Sequence, residues 1–86
     1  MIYRHRGELV RARQQLNDAL AIHVETGDRL GEASVLGDLG SVAAELGQRE
    51  ETCRLLREAD AMYEQTGAGG EGPEDVRTNL KELGCE

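Results

Sequence analysis

Tryptophan and phenylalanine are absent from this chain of 86 residues, and Tyr3 and Tyr63 are its only aromatic residues. A hydrophobic core must therefore be built from Leu, Ala, Val, Ile and Met, and little aromatic surface is left on which bases or sugars could stack. No apolar run approaches the roughly 20 residues of a membrane span, and residues 1–6 lack the apolar stretch of a signal peptide.

Cysteine is also scarce. Cys53 and Cys85 are the only two, and no Cys-x-x-Cys motif occurs, so the sequence predicts neither a disulfide framework nor a zinc site. A reducing cytoplasm is the expected location. We expect Cys53 to fill a small space in a helix, and Cys85 to be exposed and open to oxidation.

Positive charge is in deficit, because 10 Lys and Arg residues face 17 acidic ones and the net charge is −7. The second half of the sequence carries most of the excess. Direct binding to a phosphate backbone requires cations, so this composition disfavours nucleic acid as a partner and accommodates basic partners more easily. The alternative is that the charges are only the solvated faces of helices.

The chain contains an internal repeat with a period of 40 residues. Gly7, Leu16, Ala19, Thr26 and Gly27 recur at positions 47, 56, 59, 66 and 67. A second phrase, Leu-x-x-Leu-Gly, occurs at 36–40 and again at 80–84. A period near 40 with helical content predicts a stacked array of helix hairpins, an architecture that usually holds other proteins.

Apolar spacing predicts four helices, at Glu8 to Thr26, Leu30 to Leu46, Arg49 to Gln65 and Pro73 to about Leu83. Gly27 and Gly47 are expected to close the first two helices, Asp28 to cap the second, and residues 67–72 to form a flexible loop.

The predicted second helix is apolar on more than one side, which requires more than one neighbour. Gly37 and Gly40 inside it indicate close approach between packed helices. Its successor is expected to bury a stripe formed by Thr52, Leu55, Leu56, Ala59, Met62 and Tyr63.

These patterns resemble tetratricopeptide repeats, in the longer-period variety common in bacterial regulators and kinesin-light-chain-like proteins. The family's helix A carries a large apolar residue, then Leu-Gly, then a small or aromatic residue, and these places match Leu36, Leu39, Gly40 and Ala43, and in part Leu80, Leu83 and Gly84. The small, large and Ala places of helix B match Ala12, Leu16 and Ala19, and again Thr52, Leu56 and Ala59. The chain departs from the family in its few aromatics and in lacking the proline that ends helix B.

On this register residues 1–27 are a partial repeat, 28–67 a complete helical pair, 68–72 the loop and 73–86 the start of a further repeat. Neither end has a polar cap, so the sequence is expected to be an excerpt from a longer array or a module that pairs with copies of itself, as a dimer or larger oligomer.

No catalytic couple, metal-ligand cluster or cofactor motif has a convincing spacing, so we expect no enzyme activity and no cofactor. His23 is expected to serve packing, and the Gly67–Gly72 run lacks the Lys-Ser/Thr ending of a phosphate loop.

The resemblance implies a protein-binding module whose groove is lined by outward residues of helix A. These map to Arg4, His5, Ser34, Gly37, Ser41, Glu45, Thr78, Lys81 and Cys85. The alternative is a regulatory segment of a larger transcription regulator or signalling ATPase, which would act through intramolecular contacts. The reading frame upstream of Met1 would distinguish the two.

Overall fold

A computed structural model describes residues 6–85, and Arg4 and His5 lie outside the described residues. The chain is all-α. Its helices are α1 (Arg6–Thr26), α2 (Arg29–Glu45), α3 (Arg49–Thr66) and α4 (Glu71–Glu82). The first three match the predicted helices closely. The fourth begins at Glu71, two residues earlier than expected, so the predicted loop is shorter and Pro73 lies within the first turn, where its missing N–H group costs no helical hydrogen bond.

Helix α2 is the centre of the fold, because it packs against α1, α3 and α4, while α3 also packs against α4. Its buried residues lie on more than one side and include Val35, Leu36, Leu39 and Val42. The expectation that α2 needs several neighbours is therefore confirmed.

The core lies mainly between α2 and α3. Every residue of the stripe predicted for α3 is buried, from Thr52 to Tyr63, and Val76 joins this core from α4. Helix α1 contributes less, since Leu9 is its one buried residue among those described, and Leu16, Ala19 and Leu20 pack against the core while remaining partly exposed.

The helices end as the glycine pattern predicts at Gly27 and Gly47, which both have positive φ angles. Gly47 closes α2 with a φ of 76°, and the N–H of Gln48 donates to the carbonyl oxygen of Ala43 at 2.9 Å. Gly84 closes α4 in the same way, with a φ of 67°, and the N–H of Cys85 donates to the carbonyl oxygen of Leu80 at 2.9 Å. These paired bonds satisfy carbonyls that a helix end would otherwise leave free.

The repeated phrase Leu-x-x-Leu-Gly therefore occupies two different places. Gly40 lies inside α2, whereas Gly84 follows the end of α4. The structural counterpart of Glu82-Leu83-Gly84 is Glu45-Leu46-Gly47, the same three residue types at the end of α2.

Candidate functional site: the α2–α4 groove

A groove of about 530 Å³ lies between α2 and α4, and we call it the α2–α4 groove. Helix α3 supplies Leu56 and Tyr63 to it, and α4 supplies Val76 as a further apolar residue. The polar and small residues of its two sides are Ser34, Gly37, Asp38, Ser41, Glu71, Gly72, Asp75, Thr78 and Asn79.

Helical spacing explains why these residues meet. Ser34, Gly37 and Ser41 are three and four positions apart, so they lie on one face of α2, and Glu71, Asp75 and Thr78 share a face of α4 for the same reason.

Two glycines lie where α4 meets its neighbours, and one of them is required for the close approach. A Cβ atom on Gly37 would lie 3.5 Å from Cγ2 of Val76, which is ordinary contact. A Cβ atom on Gly72 would lie 2.7 Å from the hydroxyl oxygen of Tyr63, which is too close. Glycine at position 72 is therefore what lets the first turn of α4 rest on Tyr63.

The groove is acidic. Its lining contains the carboxylates of Asp38, Glu71 and Asp75 and, among the residues described, no Lys, Arg or His. Arg77 on α4 is directed to the α3 side, where its Nε lies 3.2 Å from Oδ1 of Asp60. Although Asp38 is exposed as a residue, partial burial of its carboxyl group raises its pKa above the ordinary value.

The structure brings together four of the nine residues that the sequence predicted for partner binding. Ser34, Gly37, Ser41 and Thr78 line the α2–α4 groove. Sequence analysis missed Asp38, Glu71 and Asp75 as individuals, although the acidic excess of the second half of the chain pointed to negative charge.

Glu45 belongs to a different hollow. Together with Ala12, Gln15 and Leu16 of α1 it lines a space of about 380 Å³ between α1 and α2. Asp38 and Ser41 line both hollows, so they form a ridge on α2 that separates them. Lys81 is exposed and, in the described part of the chain, does not line either hollow.

Cys53 is buried within α3, as expected, but the expectation that Cys85 is exposed is wrong, and the sequence did not predict the bond between the two. Cys85 is buried, with 3% of its surface exposed, and forms a disulfide with Cys53, the Cα atoms of the two residues lying 5.4 Å apart. The pairing spans 32 residues of sequence, and it arises because α4 returns along α3 and leaves Cys85 beside an early turn of α3. The cytoplasmic location was expected because the sequence predicted no disulfide framework. The disulfide removes this support, since lasting disulfides are typical of oxidising compartments.

Within residues 6–85, no three His, Cys, Asp or Glu side chains are grouped so that they could hold a metal ion. In that same part of the chain, no helix is both long enough and apolar enough to cross a membrane. No protein-family model, curated protein or solved structure matches the chain.

Proposed function

We propose that this chain is a non-catalytic, tetratricopeptide-like module that binds a Lys- or Arg-bearing peptide or helix of a partner protein in the α2–α4 groove. One observation supports this most directly. The groove combines three carboxylates with the apolar side chains of Leu56, Tyr63 and Val76, and its described lining has no basic group.

The order of helix contacts supports the repeat part of the proposal. Helices α2 and α4 both pack against α3 and also touch each other. In an array of helix hairpins, the first helices of successive pairs are neighbours in this way, and they line the concave face with which such proteins hold their partners. Assigned to this scheme, α2 and α4 are helices A and the groove between them is concave.

The side chains on α2 suit a close-lying partner. Ser34, Gly37 and Ser41 are small, so a peptide or helix backbone can approach α2 without displacing bulky groups. The hydroxyl of Ser41 donates to the carbonyl oxygen of Gly37 at 3.4 Å, which keeps it against its own helix.

The charges specify which partner fits. Among the described residues that line the groove, no basic side chain neutralises Asp38, Glu71 and Asp75, so a cation from outside gains attraction without displacing an internal ion pair. Asp38 adds to this preference, because its raised pKa shows that its charged form is disfavoured by partial burial and would be stabilised by a nearby cation.

A charge-reversal experiment tests the proposal. The probe is a fluorescein-labelled helical peptide of lysine and alanine, and a glutamate-alanine peptide of equal length serves as the charge control. We expect the unmodified chain to bind the lysine peptide but not the glutamate peptide. The double substitution Asp38→Lys/Asp75→Lys should weaken binding of the lysine peptide by about tenfold or more at low salt, as measured by fluorescence anisotropy.

The matched control is Asp18→Lys/Glu25→Lys on the exposed face of α1, which changes the net charge by the same amount. This variant should weaken binding much less. Equal losses in the two variants would show that the peptide responds only to net charge and would refute the groove, and so would an absence of binding to the unmodified chain.

A further inference from the structure

The last described helix, α4, is attached to α3 at its C-terminal end by a covalent bond and by hydrogen bonds. The Cys53–Cys85 disulfide lies there, and two arginines of α3 donate to carbonyl oxygens just beyond α4: Arg49 to that of Gly84 at 3.4 Å and Arg57 to that of Cys85. Nearer its N-terminus, α4 is held by the buried residues Pro73 and Val76 and by the ion pair of Arg77 with Asp60.

Helix α4 depends on these attachments. It has 12 residues, and isolated helices of that length are marginal in water. The preceding segment contains Gly67, Gly69 and Gly70, which restrain it little. Because α4 forms one side of the α2–α4 groove, a movement of its C-terminal end that reaches Thr78 and Asn79 also changes the groove.

We propose that Cys53 and Cys85 form a redox-controlled latch, which holds α4 in place when oxidised and releases its C-terminal end when reduced. The part of this inference that concerns binding rests on the function proposed for the groove. In the reduced chain the α4 side of the groove is mobile, and a partner that needs both sides binds less well.

The chemistry of the latch is thiol–disulfide exchange with a low-molecular-weight disulfide such as oxidised glutathione. In closing, the two cysteine thiols lose two protons and two electrons and form one S–S bond, while the S–S bond of the oxidant breaks and yields two thiols. Opening is the reverse reaction, with a small dithiol or two monothiols as reductant.

The burial of the disulfide makes its opening depend on a local movement. Cys53 is 8% exposed and Cys85 is 3% exposed, so a reductant reaches the sulfur atoms only when residues 83–85 lift away from α3. Arg57 opposes that movement through its hydrogen bond to Cys85. Arg54 is one turn away and, among the described residues, pairs with Glu51 and Glu58 on the surface rather than with Cys85, so it provides a matched control.

The first test measures amide hydrogen exchange by mass spectrometry on the full chain, oxidised and reduced. Reduction should accelerate exchange in α4 by about tenfold or more relative to α1, because α1 lies away from the latch. The variant Cys53→Ala/Cys85→Ala should resemble the reduced chain in both redox buffers. If reduction leaves exchange in α4 unchanged, the latch is refuted. Equal acceleration in α1, α2, α3 and α4 would also refute it, because the disulfide would then stabilise the whole fold rather than α4.

The second test measures the rate at which dithiothreitol reduces the disulfide. Arg57→Gln should be reduced several times faster than the unmodified chain, and Arg54→Gln should be reduced at the unmodified rate. Equal rates in all three proteins would show that the lifting movement does not control access to the latch and would contradict this part of the proposal.

The lysine-alanine peptide then separates the latch from the binding function. Tighter binding to the oxidised chain than to the reduced chain supports both proposals. If exchange in α4 responds to reduction while the peptide binds to neither form, the latch stands and the proposed function fails. If the peptide binds equally to both forms and α4 exchange is unchanged, the latch fails and the binding function stands.

Discussion

Gly40 of α2 lies directly against Leu56 of α3, so closely that a Cβ atom at position 40 would come within 3.0 Å of Cδ2 and 3.1 Å of Cγ of Leu56. Leu56 is 2% exposed and is one of the two largest fully buried side chains among the residues described. It has little room to move. Glycine at position 40 therefore sets the distance between the two central helices.

The first prediction compares Gly40 with Gly37, three residues earlier on the same helix. Alanine favours a helix over glycine by up to about 1 kcal/mol, but overpacking a core costs about 1–3 kcal/mol. We expect Gly40→Ala to lower the free energy of unfolding by about 1 kcal/mol. Gly37→Ala should leave it unchanged or raise it by about 0.5–1 kcal/mol, since its new methyl group would only touch Val76.

Urea denaturation followed by circular dichroism measures both values, and a third variant checks the cause. Leu56→Ala alone should cost about 2–5 kcal/mol, and in that background Gly40→Ala should become neutral or stabilising because its methyl group then has space. If Gly40→Ala lowers the free energy of unfolding equally in the unmodified and Leu56→Ala backgrounds, the contact between position 40 and Leu56 is not the cause of the loss.

Local sequence patterns were sufficient to predict the helices. The apolar stripes of α2 and α3 follow a helical period, and Gly27 and Gly47 close helices where they were expected to. The start of α4 was misplaced because Pro73 is a strong signal for a first turn. The helix begins at Glu71, and Gly72 lies against Tyr63 of α3, a contact that has no local signal in the sequence.

The candidate site was only partly predictable. Ser34, Gly37 and Ser41 could be placed on one face from spacing alone, since they share a helix. Asp38 and Asp75 lie on different helices, so their place in one groove depends on how α4 packs. The Cys53–Cys85 bond was missed because a separation of 32 residues has no local signal, and only the return of α4 along α3 brings the two together.

The second prediction concerns the start of α2. Oδ1 of Asp28 accepts a hydrogen bond from the N–H of Gly31 at 2.9 Å, and Oδ2 lies 3.2 Å from Nδ1 of His23. Loss of such a cap costs about 1 kcal/mol, so Asp28→Ala should lower the free energy of unfolding by that amount. Asp28→Asn should retain most of the stability, because an asparagine oxygen can accept the same bond.

Gln48 at the start of α3 is the control, because its side chain makes no cap hydrogen bond. Gln48→Ala should cost much less than Asp28→Ala in the same urea experiment. Similar losses at the two positions would mean that the side-chain cap at Asp28 contributes little.

The third prediction follows from the raised pKa of Asp38, whose cause is partial burial of the carboxyl group. Since the folded state disfavours the charged form, the charge on Asp38 reduces stability at neutral pH, and this penalty disappears as the pH falls through the raised pKa. Asp38→Asn should therefore be more stable than the unmodified chain at neutral pH, by less than about 1 kcal/mol because solvent screens the site.

Urea denaturation at neutral pH and near the ordinary aspartate pKa of about 4 measures the effect, with Asp18→Asn as the control for an exposed carboxylate. The advantage of Asp38→Asn should shrink at the lower pH. An advantage that is absent at neutral pH, or that grows on acidification, would contradict the assigned cause.

The fourth prediction concerns the self-association expected from the sequence. Ile22 on α1 is 59% exposed, whereas Met62, its counterpart 40 residues later, is 8% exposed. Ile22 is thus exposed to solvent, whereas neighbouring helices cover Met62 at the equivalent position of the sequence repeat. Burying apolar surface contributes about 2.5 kcal/mol for each 100 Å² or so, which favours association through this face.

We therefore expect the chain to be a dimer or larger at micromolar concentration, and Ile22→Gln to shift it towards monomer while leaving its free energy of unfolding within about 0.5 kcal/mol at high dilution. Leu83, at the other end of the described helices, is less suited to this test, because it packs against the core and its substitution would also affect folding. Sedimentation velocity over a range of concentrations measures the effect, and Ala61→Gln on the exposed side of α3 is the control. If the unmodified chain sediments as a monomer at every concentration, the exposed end of α1 does not drive association. If Ala61→Gln and Ile22→Gln dissociate the oligomer to the same extent, the contact between copies does not depend on Ile22.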